Sequence, residues 1–313
     1  MRARSLPGHA GGVPGRRPVP LELLGRPFTM AQAAAVGLGA DVLRGPRFWT
    51  PVRGVRAGAE LTDSLEVRCR ALALVVGEAT FSHLTAARLC DLPVPGRCGP
   101  LGLPLDDEPL EVTCAVLPPR ISGVRGHYGE VGADVRTLDS GLRVTSGART
   151  WADLAPRLGL DDAVVLGDAV LRHGWADLVE LTAWAARPGR RGAGRMRAAI
   201  LLLEPRTDSP METRLRLLIV RAGLPRPVAN LDVVVDGAWL ARPDLSYPAL
   251  RIAIEYDGDH HRTDRRQWQR DIGRRRALED AGWLLVVVTA DDVLRRPHEI
   301  VELIRRAIAS RAA

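Results

Sequence analysis

The run RPDLSYPALRIAIEYDGDHH, Arg242 to His261, decides how this chain is read. Arg251–Asp257 is strand-like, and alternation along it points Ile252, Ile254 and Tyr256 to one face and Ala253, Glu255 and Asp257 to the other. Glu255 and Asp257 therefore share a face, about 7 Å apart. Asp244, near the end of the preceding strand, reaches the same rim. Charged acids repel one another and lose solvation on burial, so a fold that clusters three of them calls for a compensating cation. Hard oxygen donors with open positions suit Mg²⁺ or Mn²⁺, which keep several waters and accept phosphate oxygens. The plainer reading of the same residues is an exposed acidic strand end.

Neighbouring elements complete an α/β core over residues 204–313. Ser209–Glu212 starts a helix with Leu215, Leu218 and Ile219 on one face, ended by Gly223. Residues 230–235 and 238–246 are strand-like and joined by Asp236-Gly237, a strong two-residue hairpin signal. A helix is expected over 267–281. The near-continuous apolar run Trp283–Thr289 suits a strand buried on both faces, and a last helix over about 297–309 packs on it.

Taken with RDIGRRRALEDAGWLLVVVT, Arg270 to Thr289, the opening run resembles the PD-(D/E)xK nuclease superfamily, most closely its very-short-patch-repair-like endonuclease domains, over about 80 to 100 residues. Pro243-Asp244, Glu255, the Asp257-Gly258-x-x-His261 turn and Gly282-Trp283 occur in that order. The resemblance implies a restriction-endonuclease-like core, a mixed sheet flanked by helices. It implies that Asp244 and Glu255 hold the metal, that Glu212 assists, and that His261 acts near the attacking water. The motif's lysine position is Asp257 here, read either as a third acid or as a turn former ahead of Gly258. His261 is preferred to His260 as base because its spacing from Gly258 matches the family, and an imidazole takes a proton near neutral pH. Glu212 has a second reading, since Ser209-x-x-Glu212 is also a capping box.

Arg262, Arg266, Arg270 and Arg274 recur every four residues after the site. Like charges so spaced cost a helix a few tenths of a kcal/mol per pair unless acids such as Asp271 or a polyanion offset them. They form either a phosphate-contacting ridge or a solvated face. Trp268, among them, reads as core.

The first 60 residues hold nine Arg against three acids, while 61–203 and 204–313 are nearly balanced, so most of the net charge of +7 lies at the N-terminal end. Such a segment suggests a polyanionic partner, most often nucleic acid, or else a solubilising tail. Residues 1–25 read as a flexible basic arm, positively charged but without the apolar stretch of a signal peptide, which makes a cytoplasmic protein the expectation. Over 26–60 the order is helix (Met30–Val36, capped by Thr29), short helix (near Asp41–Arg44) and hairpin (Arg47–Arg56), as in a winged helix. Arg44, Arg47, Arg53 and Arg56 then face DNA phosphates, unless the module only packs on the rest of the chain. PFTMAQAAAVGLGADVLRGPRFWTPVRGV, Pro27 to Val55, resembles the N-terminal domain of abortive-infection (AbiEi-like) antitoxins, as does FSHLTAARLCDLPVP, Phe81 to Pro95.

Residues 61–203 read as a mixed α+β region, with helices over 62–76, 82–92, 147–156, 161–172, 175–186 and 192–203 and strands near 111–116, 124–128 and 142–145. His83 is read as a structural histidine. The 313 residues suggest roughly two domains, 46% hydrophobic content supports real cores, and no apolar run approaches the ~20 residues of a membrane span. Cys69, Cys90, Cys98 and Cys114 show neither CxxC spacing nor matched histidines and read as ordinary buried thiols. The chain has no lysine, so other groups carry any chemistry that residue usually does. The leading expectation is a metal-dependent DNA endonuclease, with a further protein partner or self-association open. Its rival is a non-catalytic DNA-binding regulator of the antitoxin kind with a degenerate nuclease core. A third reading is a nuclease silent without a partner.

Overall fold

The structure, a computed structural model, describes residues 18–96, 99, 102–258 and 265–312, with the side chains of 265–272 outside that description. The chain divides into two units, Met1–Glu78 and Ala79–Ala313, and both mix helix and sheet. This division falls at neither 60/61 nor 203/204, the boundaries expected from the sequence.

In the first unit, β1 (Phe28–Thr29), α1 (Met30–Ala35), α2 (Ala40–Leu43), β2 (Phe48–Trp49), β3 (Val55–Gly58) and α3 (Leu65–Val75) follow one another. The antiparallel sheet has the order β1-β3-β2. Thr29 and Gln32 form a reciprocal capping box at the start of α1. The core is Leu23, Phe28, Ala33, Leu38, Leu43 and Phe48, with Phe28 and Phe48 edge to face at 5.8 Å. Burial of Leu23 draws the end of the expected arm into this unit. Strand β1, two residues long, carries no periodicity and was not expected. The helix expected over 62–76 is α3, and it belongs to this unit rather than to a middle region.

The second unit opens with β4 (Thr80–Phe81), α4 (His83–Leu89), β5 (Leu110–Cys114), β6 (Val124–Tyr128), β7 (Val135–Thr137) and β8 (Arg143–Thr145). These strands form a mixed sheet ordered β6-β5-β4-β8-β7. Four helices follow: α5 (Gly147–Leu154), α6 (Leu160–Arg172), α7 (Leu178–Ala186) and α8 (Ala193–Ile200). The Pro/Gly/Arg-rich stretch at 187–194 is thus an interhelix break. Among the described residues, Cys69, Cys90 and Cys114 are buried free thiols and no helix is long and apolar enough to cross a membrane. Cys98 lies outside the described residues.

Then come α9 (Pro210–Arg221), β9 (Val228–Ala229), β10 (Val233–Val235), β11 (Ala238–Ala241), β12 (Leu245–Tyr247), β13 (Ile252–Asp257), α10 (Arg265–Asp280), β14 (Leu284–Thr289), α11 (Ala290–Leu294) and α12 (Pro297–Ala312). The sheet is ordered β14-β13-β12-β9, with β13 and β14 parallel across the α10 crossover and the other pairs antiparallel. Alternation sorts β13 as expected. Ile252 and Ile254 pack with Leu215 and Ile219 of α9 and Ile304 of α12, whereas Ala253 packs with Leu278 of α10 and Trp283.

The single strand expected over 238–246 is instead two. Residues 238–241 pair only with β10, and 245–247 join the main sheet. Pro243, which has no amide hydrogen to give a ladder, stands between them. The Asp236-Gly237 turn has both central residues at positive φ, 50° and 80°, the signature of a type I′ hairpin. Gly237→Ala places a Cβ in this left-handed conformation, and the expected cost is about 1 kcal/mol in urea unfolding of the whole chain.

Candidate functional site

Three elements bring the acids together. Glu212 is the third residue of α9, Asp244 immediately precedes β12, and Glu255 is central in β13. Leu245 pairs with Ile254, so extending that register by one residue sets Asp244 opposite Glu255. Asp244 Oδ2 accepts the Tyr256 amide at 2.7 Å, continuing the ladder through a side chain. Burial, then Glu212, and to a smaller degree Glu255, push the Asp244 carboxyl up to about 7, against the opposing pull of the Tyr256 amide and Arg274.

Glu212, 6% exposed, answers the capping question. Ser209 Oγ accepts the Glu212 amide at 3.2 Å, which is one half of the box. The Glu212 carboxylate, however, accepts from the Asp208 amide and from Asn230 Nδ2, each at 2.8 Å, rather than from the Ser209 amide. One Asn230 side chain therefore orients an acid that acts electrostatically on Asp244.

Glu255 is 3% exposed. Arg274 Nη2 lies 3.3 Å from its Oε1, and Arg275 Nε lies 3.5 Å from its Oε2. Oε1 is nevertheless buried without a hydrogen bond of acceptable geometry, an orphaned acceptor beside the Arg274 guanidinium. Arg275 also reaches Asp257 Oδ2 at 3.4 Å. Glu255 and Asp257 thus share a cation, in agreement with their common face, and Asp257 is part of the rim as well as the strand end. Arg274, expected on a phosphate-contacting ridge, instead turns into the acid site. His261, its neighbour His260 and Arg262 lie outside the described residues, as do the side chains of Arg266, Trp268 and Arg270.

By donor chemistry alone, all-carboxylate oxygen, this set is of the kind that suits a hard divalent ion. Glu212 and Glu255 lie near enough to Asp244 to add to the effect of burial on its charge, and Glu255 carries an orphaned oxygen, but among the described residues the ligand atoms of these three acids do not all fall within 4.8 Å of one another. The two arginines offset part of the negative charge from one side.

In the first unit, Arg44 is exposed and paired with Asp41 at 3.2 Å, and Arg53 is exposed in the turn before β3. Arg47 stacks 5.6 Å from the Phe48 ring centre. Arg56 bonds the Leu43 carbonyl at 3.2 Å and Thr50 Oγ1, which ties the ribbon to α2.

A second cluster was missed by sequence reasoning, which read His83 alone. His83, Glu111 and His127 place ligand atoms within 4.8 Å of one another. Their positions are separated by 28 and 16 residues and follow no motif spacing; the pairing of β5 with β6 and the start of α4 after β4 assemble them.

Two relatives from Mycobacterium tuberculosis, the uncharacterized proteins MT2308 (strain CDC 1551 / Oshkosh) and Rv2248 (strain ATCC 25618 / H37Rv), are each 31% identical to this chain over 180 residues. The match spans 57% of this chain and 66% of each relative, just under two thirds of their length. No family model and no solved structure matches the chain.

Proposed function

We propose that this protein is a metal-dependent endonuclease that hydrolyses DNA phosphodiester bonds with a restriction-endonuclease-like core at its C-terminal end. The observation that carries the reading is that Asp244 stands opposite Glu255 at one end of the β12–β13 pair with Glu212 nearby, and that the Asp244 carboxyl is raised by burial first and by these two acids in addition. Asp244 and Glu255 would hold Mg²⁺ or Mn²⁺, with Glu212 completing the acid cluster. A divalent ion in such a site supplies Lewis-acid polarisation of a phosphate oxygen and lowers the pKa of a bound water.

The chain's own residues do the positioning. The Tyr256 amide fixes one Asp244 oxygen. Asn230 and the Asp208 amide fix Glu212. Arg274 and Arg275 keep positive charge beside the acids, where a phosphate backbone approaches. His261, by its family resemblance, takes the proton from the attacking water. A winged-helix-like first unit positions the duplex through Arg44, Arg47 and Arg53, with Arg56 holding the ribbon in place. DNA is favoured over RNA by the resemblance and by this module.

One observation favours the rival reading of a DNA-binding regulator with a degenerate core: arginine already partners both Glu255 and Asp257. Incubating wild-type protein with supercoiled plasmid in Mg²⁺, Mn²⁺ or EDTA separates the two. Nicking in either metal that EDTA abolishes is the expected result. Intact plasmid in both metals, with DNA binding retained, selects the regulator.

A further inference from the structure

The second unit holds another polar constellation that shares no residue with the acid cluster and does not depend on the nuclease reading. Glu111 on β5 is fully buried, and its carboxylate accepts four hydrogen bonds. Arg157 gives two, at 2.7 and 2.8 Å, His127 Nε2 lies at 2.9 Å, and the Leu84 amide donates at 3.2 Å. Burial alone would raise this carboxyl, but the bonds from Arg157 and His127 hold it down at about 2. Because Glu111 is therefore an acceptor, His127 Nε2 carries the hydrogen, and its tautomer is fixed. His83 stacks on His127 with ring centres 3.9 Å apart and 18° between planes. Burial pushes His83 down to about 4, against the pull of Asp153, so the stacked pair avoids carrying two charges. His83 also sits at a positive φ of 51°, a left-handed conformation that histidine adopts more readily than most residues other than glycine.

A cavity of about 450 Å³ opens on these groups, and its lining includes His83, His127, Arg125, Arg157, Arg190 and Arg191. Two chemistries compete for it. The spacing of His83, Glu111 and His127 suits a metal ion. Yet a carboxylate offers about four lone-pair positions, and all four on Glu111 are taken. The Arg157 guanidinium, 2.7 Å from Glu111, also places positive charge beside the spot a cation would occupy. Asp153, the acid in the lining, is already shared between Arg149 at 3.3 Å and Arg190. Arg125 and Arg191 have no ion-pair partner among the described residues. The cavity is thus one of surplus guanidinium charge with fixed imidazoles, which favours an anion.

We propose that this cavity binds a phosphomonoester carried on a nucleotide-sized molecule. Arg125 and Arg191 supply the uncompensated charge, Arg157 and Arg190 are held in place by Glu111 and Asp153, and the stacked imidazoles line the pocket beside the phosphate. Arginine suits the role because its planar fork meets phosphate oxygens in pairs. The volume lies within the range of roughly 300–1,000 Å³ common to small-molecule sites.

The test is calorimetric titration of the full chain with inorganic phosphate, adenosine 5′-monophosphate, adenosine and Zn²⁺. The probes are run against wild type, the Arg125→Ala/Arg191→Ala double variant and Asp244→Asn. Saturable binding of adenosine 5′-monophosphate, weaker binding of phosphate, none of adenosine, and an at least tenfold loss in the double variant are expected. Asp244→Asn should bind as wild type does, which separates this site from the nuclease reading. Arg125 and Arg191 make no described contact that holds the fold, and an unchanged melting temperature of the ligand-free double variant checks this. Absence of phosphate binding, equal binding of adenosine, or unchanged affinity in the double variant would each overturn the proposal. Binding of Zn²⁺ in place of phosphate would do so too, and would assign the cluster to a metal.

Discussion

Asp244→Asn is expected to lower cleavage by at least a hundredfold and, at pH 8 without metal, to make the protein more stable. Both effects come from one cause. The folded state holds the Asp244 carboxyl at about 7 because burial, Glu212 and Glu255 disfavour its charge, whereas in the unfolded chain it titrates near its ordinary value of 3.8. Between those two values the folded state binds more protons than the unfolded state. Stability therefore falls as pH rises through this window, and the full cost is present above about pH 7. Asparagine keeps an oxygen for the Tyr256 amide and cannot charge. Its advantage should be near zero at pH 4 and grow to a few kcal/mol at pH 8, at roughly 1.4 kcal/mol for each pKa unit. Urea unfolding in EDTA at the two pH values reads this directly, and a difference that stays constant with pH would refute it. Mg²⁺ should narrow the gap at pH 8, since a bound cation stabilises the folded state of wild type only. Below pH 7, the Mg²⁺ concentration for half-maximal cleavage should rise about tenfold per pH unit as Asp244 takes its proton.

The largest loss of stability is expected from Asp168→Ala. Asp168 on α6 and Arg216 on α9 are 1% and 0% exposed and paired at 2.8 Å. Asp168 also accepts from the Glu204 amide at 2.7 Å, Thr213 Oγ1 at 2.9 Å and Thr207 Oγ1 at 3.2 Å. Arg216 gives a further bond to the Leu202 carbonyl at 2.7 Å. Removing the carboxylate leaves a buried guanidinium without its counter-charge, a change that costs about 3–5 kcal/mol. The same network anchors the start of α9, which carries Glu212, so metal affinity should fall with stability. Replacing Asp168 and Arg216 together by leucine and methionine should recover most of the loss, because the penalty lies in the stranded charge rather than in the missing attraction. A double replacement as unstable as Asp168→Ala alone would show that the hydroxyl and amide bonds dominate instead.

This pair also explains why the domain boundary expected near residue 203 is not found. The Pro/Gly/Arg-rich stretch just upstream, at 187–194, looks like a linker. The ion pair, together with Arg214 to Asp162 at 2.5 Å and Arg221 to Asp161, fastens α6 to α9 across it. Nothing in the local pattern marks Asp168 as a partner of a residue 48 positions away.

What the sequence alone determined is whatever repeats over a few residues. The alternation of β13 placed Ile252 and Ile254 on one side and Glu255 and Asp257 on the other, Asp236-Gly237 specified its turn, and the helices over 147–172 and 210–221 followed from apolar spacing and N-caps. These features depend on backbone geometry and on neighbours in sequence, which any reader of the chain can see. Only the tertiary structure decided that Arg274 turns into the acid cluster, that Asn230 rather than Ser209 receives the Glu212 carboxylate, and that His83, Glu111 and His127 meet. Those contacts join residues whose separation no local rule constrains. Their partners are chosen by strand order and helix packing, and by the demand that every buried charge find a counter-charge or a hydrogen bond.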